Sequence, residues 1–298
     1  MKRFLPFLLL FAGLSAFAGP LRVIALHSVL AEVAQEVGGG DVTVCCLMPV
    51  GADPHTFNPA PGDVRALSEC DLVLASGFGL EPYLDKLVSN SGTKARVLLA
   101  SSAIRDTVRS SDVERGHEGH DHGEIDPHWW NGISNIREMA TAVCGELKRL
   151  RPAASSSFDA RNAAYLARLD ALAAWARAEV GALPRERRHL VTSHDAFGYL
   201  ARDYGFEVHP LYGVSPEAEP DARALAALID LIRRLKIRAV FVDNTENPKL
   251  LAAMLGESGA IVGGTLYADG LGAPGSPAAT VEDMFRHNIA TIVEALKE

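Results

Sequence analysis

Short apolar runs that do not alternate with polar residues constrain this chain more than any other feature. They fall at residues 21–26 (LRVIAL), 42–47 (VTVCCL), 72–75 (LVLA), 97–100 (VLLA), 190–192 (LVT) and 239–242 (AVFV), and they are rich in β-branched side chains. A strand with one solvated face shows a two-residue period. Strands buried on both faces lose it, and such strands belong to parallel sheets covered by helices. Amphipathic patterns lie between the runs. Residues 28–37 carry Val29, Val33 and Val37 at helical spacing and stop at Gly38-Gly39-Gly40; residues 63–70, 81–89 and 221–235 also read as helices. Alternating strand and helix implies an α/β architecture with right-handed crossovers.

The middle of the chain breaks that alternation. Residues 155–182 contain no proline, and no glycine before Gly181, while Tyr165, Leu166, Leu169, Leu172, Trp175 and Ala176 recur at three and four. Ser155, Ser156 and Ser157 offer N-caps, and Asp159 suits the first turn. About 26 helical residues at 1.5 Å each make a rod of roughly 40 Å, as long as a domain is wide. The expected organisation is therefore an N-terminal lobe over 19–152, a connecting helix over 153–183 and a C-terminal lobe over 184–298. Each lobe is expected to be a mainly parallel sheet flanked by helices, with one long rigid helix joining them.

Met1-Lys2-Arg3, an apolar run to Phe17 and Ala16-Phe17-Ala18 before Gly19 have the n-region, h-region and cleavage site of a secretory signal peptide. Residues 1–18 are expected to be removed, giving a soluble exported chain, periplasmic in a bacterium with two membranes. No cysteine follows the h-region, so no lipid anchor is expected. Losing Lys2 and Arg3 makes the formal charge of -8 two units more negative. An acidic chain is a poor nucleic-acid partner and tolerates a cationic ligand. Cys45, Cys46, Cys70 and Cys144 lack a C-x-x-C spacing, which argues against a thiolate metal site. In an oxidising compartment the default is two buried disulfide bridges, or one bridge and two buried thiols.

Residues 116–131, GHEGHDHGEIDPHWWN, point to metal chemistry. His117, His120 and His122 sit among Gly, Glu and Asp, as in a solvated loop. The next segment, Asp126-Pro127-His128-Trp129-Trp130, reads as fixed, because Pro127 restricts its neighbour and two indoles need packing surfaces. One half could catch a metal and the other hold it. In open α/β sheets ligands bind beyond the carboxyl ends of strands. His55 follows the run at 42–47, His194 ends the strand at 189–193, His128 enters a helix, and Asp269 follows 261–266. All four occupy loops that one cleft could collect. His27 ends the first strand and is expected as a hydrogen-bonded structural residue, whereas His189, His209 and His287 lack this context. Three imidazoles and a carboxylate suit a borderline divalent cation, with Zn2+ the best match.

The motifs P-V-G-A-D-P-H at 49–55, D-P-H-W-W at 126–130, T-S-H-D-A-F-G-Y at 192–199 and L-Y-A-D-G-L at 266–271 occur in that order. With them the chain resembles the substrate-binding proteins of bacterial zinc- and manganese-uptake ABC transporters, of the cluster A-I zinc-uptake type. G-F-G-L-E-P at 77–82 and E-A-E-P at 217–220 match as well, and the resemblance spans the mature chain. It implies two α/β lobes joined by a long helix, metal in the cleft, and His55, His128, His194 and Asp269 as ligands. It also implies zinc over manganese, because manganese-type relatives carry Glu where His194 stands. The chain departs from the pattern in its short histidine loop, its cysteines, and the loose match at Ala268-Asp269-Gly270.

The implied role is high-affinity zinc binding in the periplasm and delivery to a membrane permease. A periplasmic zinc metallochaperone is a candidate donor, and the protein is expected to act as a monomer. The competing readings are a manganese-transport protein, a secreted zinc hydrolase and a surface adhesin. A hydrolase needs an open metal position and a general base, and neither H-E-x-x-H nor G-x-S-x-G is present. No enzyme activity is expected.

Overall fold

Two four-stranded, wholly parallel sheets carry the chain, and one long helix runs between them. The computed structural model describes residues 19–110, 125–211, 213, 222–245, 256 and 258–297. The signal-peptide segment 1–18 and His117, His120 and His122 lie outside the described residues.

The first sheet is built from β1 (Leu21–Ala25), β2 (Val42–Cys46), β3 (Leu72–Ala75) and β4 (Arg96–Leu99), in the order β2-β1-β3-β4. Helices α1 (Ser28–Gly38), α2 (Pro61–Ser68), α3 (Leu84–Ser91) and α4 (Ala100–Ala103) follow its strands. Next come α5 (Ile133–Leu150) and the long α6 (Ser155–Gly181). The second sheet repeats the first sheet's order, as β6-β5-β7-β8, from β5 (His189–Thr192), β6 (Glu207–Pro210), β7 (Ala239–Asp243) and β8 (Ile261–Leu266). Its helices are α7 (Gly198–Tyr204), α8 (Ala222–Leu235) and α9 (Val281–Lys297).

Burial explains the non-alternating runs. Every residue of β3 and of β7 is buried, since each central strand has a helical layer on both faces. β6 escapes the sequence pattern because it is an edge strand with only its last residue buried, and Pro210 is tolerated there. Two helix starts also shift. α2 begins at Pro61, a proline suited to the first helical position, with Asp63 accepting from the Ala60 N–H at 2.7 Å. α3 begins only at Leu84, because the Glu81 carboxylate turns back to accept from the N–H groups of Ser76 (2.7 Å) and Gly77 (2.8 Å).

The connecting helix α6 has 27 residues. Phe158, Tyr165, Leu169, Leu172, Ala173, Ala176 and Val180 form its buried stripe. That stripe belongs to one hydrophobic core, which also takes in Val29 and Val33 of α1, Leu72 and Leu74 of β3, Phe241 of β7 and Phe285 and Ile289 of α9. The lobes thus share a continuous core along α6. A second core covers the outer face of each sheet. Arg168 of α6 adds ion pairs to Glu36 of α1 and Glu282 of α9. Among the described residues no helix is long and apolar enough to cross a membrane.

The disulfide expectation is corrected. All four cysteines are free thiols. Cys45 and Cys46 are consecutive in an extended strand, so their side chains leave opposite faces. Cys144 packs in the core shared by the lobes, whereas Cys70 packs in the outer core of the first sheet, with the sheet between them.

Candidate metal centre

The carboxyl ends of both sheets face one another, and four loop residues meet there. His55, His128, His194 and Asp269 each offer a ligand atom, all within 4.8 Å of one another. His128, His194 and Asp269 are buried and His55 is half-buried. Nε2 of His55 lies 3.0 Å from Nε2 of His128. Asp269 Oδ1 lies 3.2 Å from Nε2 of His194 and 3.8 Å from Nε2 of His128. Donors bound to zinc at about 2.0–2.2 Å in a tetrahedron stand about 3.3–3.6 Å apart. The separations of 3.0, 3.2 and 3.8 Å lie on either side of that spacing.

Each donor is aimed by its own local structure. His55 sits in a turn in which Asp53 Oδ1 accepts from the His55 N–H at 2.8 Å. The D-P-H spacing lets Asp126 Oδ1 accept twice from His128, from its backbone N–H (2.9 Å) and from Nδ1–H (2.8 Å). That bond fixes the tautomer and leaves the Nε2 lone pair in the cleft. Tyr199 of the second lobe donates to the Asp126 carbonyl at 2.9 Å. Gly198 lets this happen, because a Cβ there would stand 2.6 Å from Asp126 Oδ2. His194 follows β5, and its Nδ1–H donates to Asp243 Oδ2 at the end of the neighbouring β7 in a short contact.

Asp269 is held from across the cleft. Val29 N–H donates to His27 Nδ1 at 3.2 Å, so the His27 Nε2–H donates to the Asp269 carbonyl at 3.0 Å. The neighbouring Ala268 carbonyl accepts from Trp130 Nε1 (2.7 Å) and Asn131 Nδ2 (3.0 Å), and Leu271 N–H donates to Ser28 Oγ (2.9 Å). Gly270 has φ +141, and a Cβ on it would meet Ser28 Oγ at 2.7 Å. The Ala-Asp-Gly variation is therefore fitted to this clamp. Trp130 also stacks on His27, with ring centroids 4.1 Å apart.

Electrostatics couple Asp269 to the imidazoles around it. Burial pushes the Asp269 carboxyl up, but His194, then His128 and His55, reverse this and hold it well below the usual carboxylate range. Burial pulls the His194 imidazole down, and Asp269 and Asp243 more than reverse that, raising it well above 6.5. Burial lowers the His27 imidazole to about 4, which keeps it a neutral clamp. Burial raises the Asp126 carboxyl to about 7, against the pull of the His128 N–H. Among the described residues, neither Asp269 oxygen nor His194 Nε2 has a hydrogen-bond partner. The buried Asp269 charge is offset by the imidazoles of His194 and His128 beside it.

The expected site residues His55, His128, His194 and Asp269 are brought together, and His27 is hydrogen-bonded beside them. Asp126 and Asp243 were not assigned from sequence. Asp126 could have been found from its two-residue spacing to His128, and Asp243 from its place at the end of a buried strand. His189 and His209, set aside for lack of context, also meet, with Glu207. His287 bonds to the Thr265 carbonyl at 2.9 Å.

Comparison with known proteins places the chain in a family. Residues 23–295 match the model of the ZnuA family, described as zinc-uptake complex component A, periplasmic. The chain belongs to the ZnuA family. It is 35% identical over 287 residues to the zinc-binding protein TroA of Treponema pallidum, covering 95% of this chain and 91% of that protein. It is 33% identical over 282 residues to the manganese-binding lipoprotein MntA of Bacillus subtilis, covering 93% and 90%. The solved structure of periplasmic zinc-binding TroA superposes with a TM-score of 0.83 at 34% identity, over 94% of this chain and 99% of that one. As a ZnuA-family chain the protein is a metal-binding component of an ABC transporter that works with a membrane permease, and it is not an enzyme.

Proposed function

We propose that His55, His128, His194 and Asp269 bind one Zn2+ ion with high affinity in the periplasm and that the protein delivers it to its cognate permease for import. The observation that supports this reading is a buried carboxylate, with no hydrogen bond from the main chain or a hydroxyl, facing imidazole nitrogens from both lobes. Three imidazole nitrogens and one carboxylate oxygen favour zinc, which must displace the proton that Asp269 and Asp243 hold on His194, whereas manganese prefers oxygen donors. Asp126 and Asp243 lie behind the rings of His128 and His194 and offset the charge an ion brings. The manganese reading draws on the likeness to MntA, named as manganese-binding.

The boundaries 19–152, 153–183 and 184–298 belong to the same proposal, as do export by residues 1–18 and action as a monomer. Glycines at 116, 119 and 123 make ordering the His117, His120 and His122 loop around a metal costly, so we assign it capture and not storage. A metallochaperone donor would meet that loop. Deleting 117–122 should leave cleft affinity nearly unchanged and slow zinc transfer from a protein-bound source.

The metal content of protein purified from the periplasm, followed by Zn2+/Mn2+ competition, tests the metal assignment. One equivalent of zinc, not displaced by excess manganese, is expected. Bound manganese that zinc fails to displace would overturn it.

A further inference from the structure

His189, Glu207 and His209 converge at the other end of β5 from the cleft. In the parallel register His189 stands opposite Glu207 and Val191 opposite His209. Side chains two apart share a face, so both imidazoles and the carboxylate project from one side of the β5–β6 edge. His189 Nδ1 lies 3.1 Å from His209 Nε2, with the rings stacked at 5.3 Å. Glu207 Oε2 lies 3.5 Å from His189 Nδ1, and its Oε1 lies 3.7 Å from His209 Nε2.

We propose that these three residues form a second, weaker site for a divalent transition metal such as Zn2+, separate from the cleft. Bonds of about 2.0–2.2 Å place neighbouring donors about 2.9 Å apart at a right angle and up to about 3.6 Å apart in a tetrahedron. The observed separations lie on that range or within about 0.1 Å of it. A hydrogen bond between the two rings accounts for the 3.1 Å contact alone. It leaves the carboxylate beyond good hydrogen-bond distance of either ring, where an ion among the three would draw it in. The imidazoles are largely buried, at 16% and 12% side-chain exposure, while Glu207 is 68% exposed. The rings are thus held, one side is open, and water can fill the remaining positions. Two imidazoles and a carboxylate with open positions suit zinc and its first-row neighbours. Arg187, Lys236 and Arg238 line the pocket beside His189 against a single Glu186, and their charge ranks this site below the cleft. The strand β5, His189–Thr192, roughly 10 Å of extended chain, lies between the cluster and the bend that carries His194, and the two clusters share no residue.

The test is a Zn2+ titration of the full mature chain with His117, His120 and His122 replaced by Asn, which removes competition from the loop. Two equivalents are expected, the second weaker. The double substitution His189→Ala with His209→Ala should keep the first and weaken the second by more than the roughly 10–100-fold that loss of a supporting partner costs metal sites. Glu207→Gln, at an exposed position, should weaken it without disturbing the fold. His55→Ala with His194→Ala should remove the first equivalent and spare the second, which separates this proposal from the cleft assignment. A single equivalent in the parent chain, or a second one indifferent to the 189/209 substitutions, would overturn it.

Discussion

Replacing Asp126 tests whether the cleft is built in two layers. Its Oδ1 accepts both the backbone N–H and the Nδ1–H of His128, so it sets the ring's tautomer and direction without reaching the cluster itself. Losing such an outer partner costs metal sites roughly 10–100-fold, or about 1.4–2.7 kcal/mol. Asp126→Ala should fall in that range. Asp126→Asn should lose less, about tenfold or under, because an amide oxygen can accept both bonds but lacks the charge that roughly doubles their strength. His128→Ala removes a donor outright and should lose more than either. The fold should survive, since Asp126 is also held through its main chain, by Val108 at 2.9 Å and by Tyr199 at 2.9 Å. Competition against a chromophoric chelator gives the three affinities, and thermal melts of the metal-free proteins control for folding. Wild-type affinity in Asp126→Ala, or a loss in Asp126→Asn equal to that in His128→Ala, would refute the reasoning.

Two other perturbations probe how the lobes are joined. Glu32 of α1 accepts from Val281 N–H at the start of α9 (2.8 Å), and burial pushes its carboxyl up from 4.5 to about 8, helped by Glu36, Glu282 and Asp283. The folded state then binds the proton more tightly, so stability is full below about pH 4.5 and declines as pH rises through about 8. Glu32→Gln keeps an acceptor for Val281 and should match wild type in urea melts at pH 5, yet exceed it by up to a few kcal/mol at pH 9; no gain at pH 9 would contradict the assignment. Gly270→Ala places a Cβ 2.7 Å from Ser28 Oγ at φ +141, so the Asp269 loop must shift. Strain of about 1–3 kcal/mol predicts a roughly 5- to 150-fold loss of zinc affinity, and unchanged affinity in calorimetry would show that the clamp does not position Asp269.

The parallel sheets were legible because burial on both faces leaves its mark on composition, as in the wholly apolar LVLA of β3 and AVFV of β7. The long helix was legible because a glycine- and proline-free stripe has few other uses. β6 was not, since an edge strand with polar faces carries no such mark. Strand-end position plus motif singled out the four residues that converge in the cleft. Their supports were harder: Asp243 reaches His194 only through the lateral pairing of β5 and β7, a contact across 49 positions. The same lateral pairing hid the His189–Glu207–His209 cluster. Disulfides were expected because an exported chain can form them, while the sheet keeps Cys70 and Cys144 on opposite sides.

Anomalous scattering at the zinc edge, from crystals of the zinc-loaded protein, tests the central claim most directly. The account predicts the strongest peak in the cleft, about 2.0–2.2 Å from Nε2 of His55, His128 and His194 and from an oxygen of Asp269. A strongest peak elsewhere, or one in the cleft that any of these three imidazoles fails to reach, would contradict it.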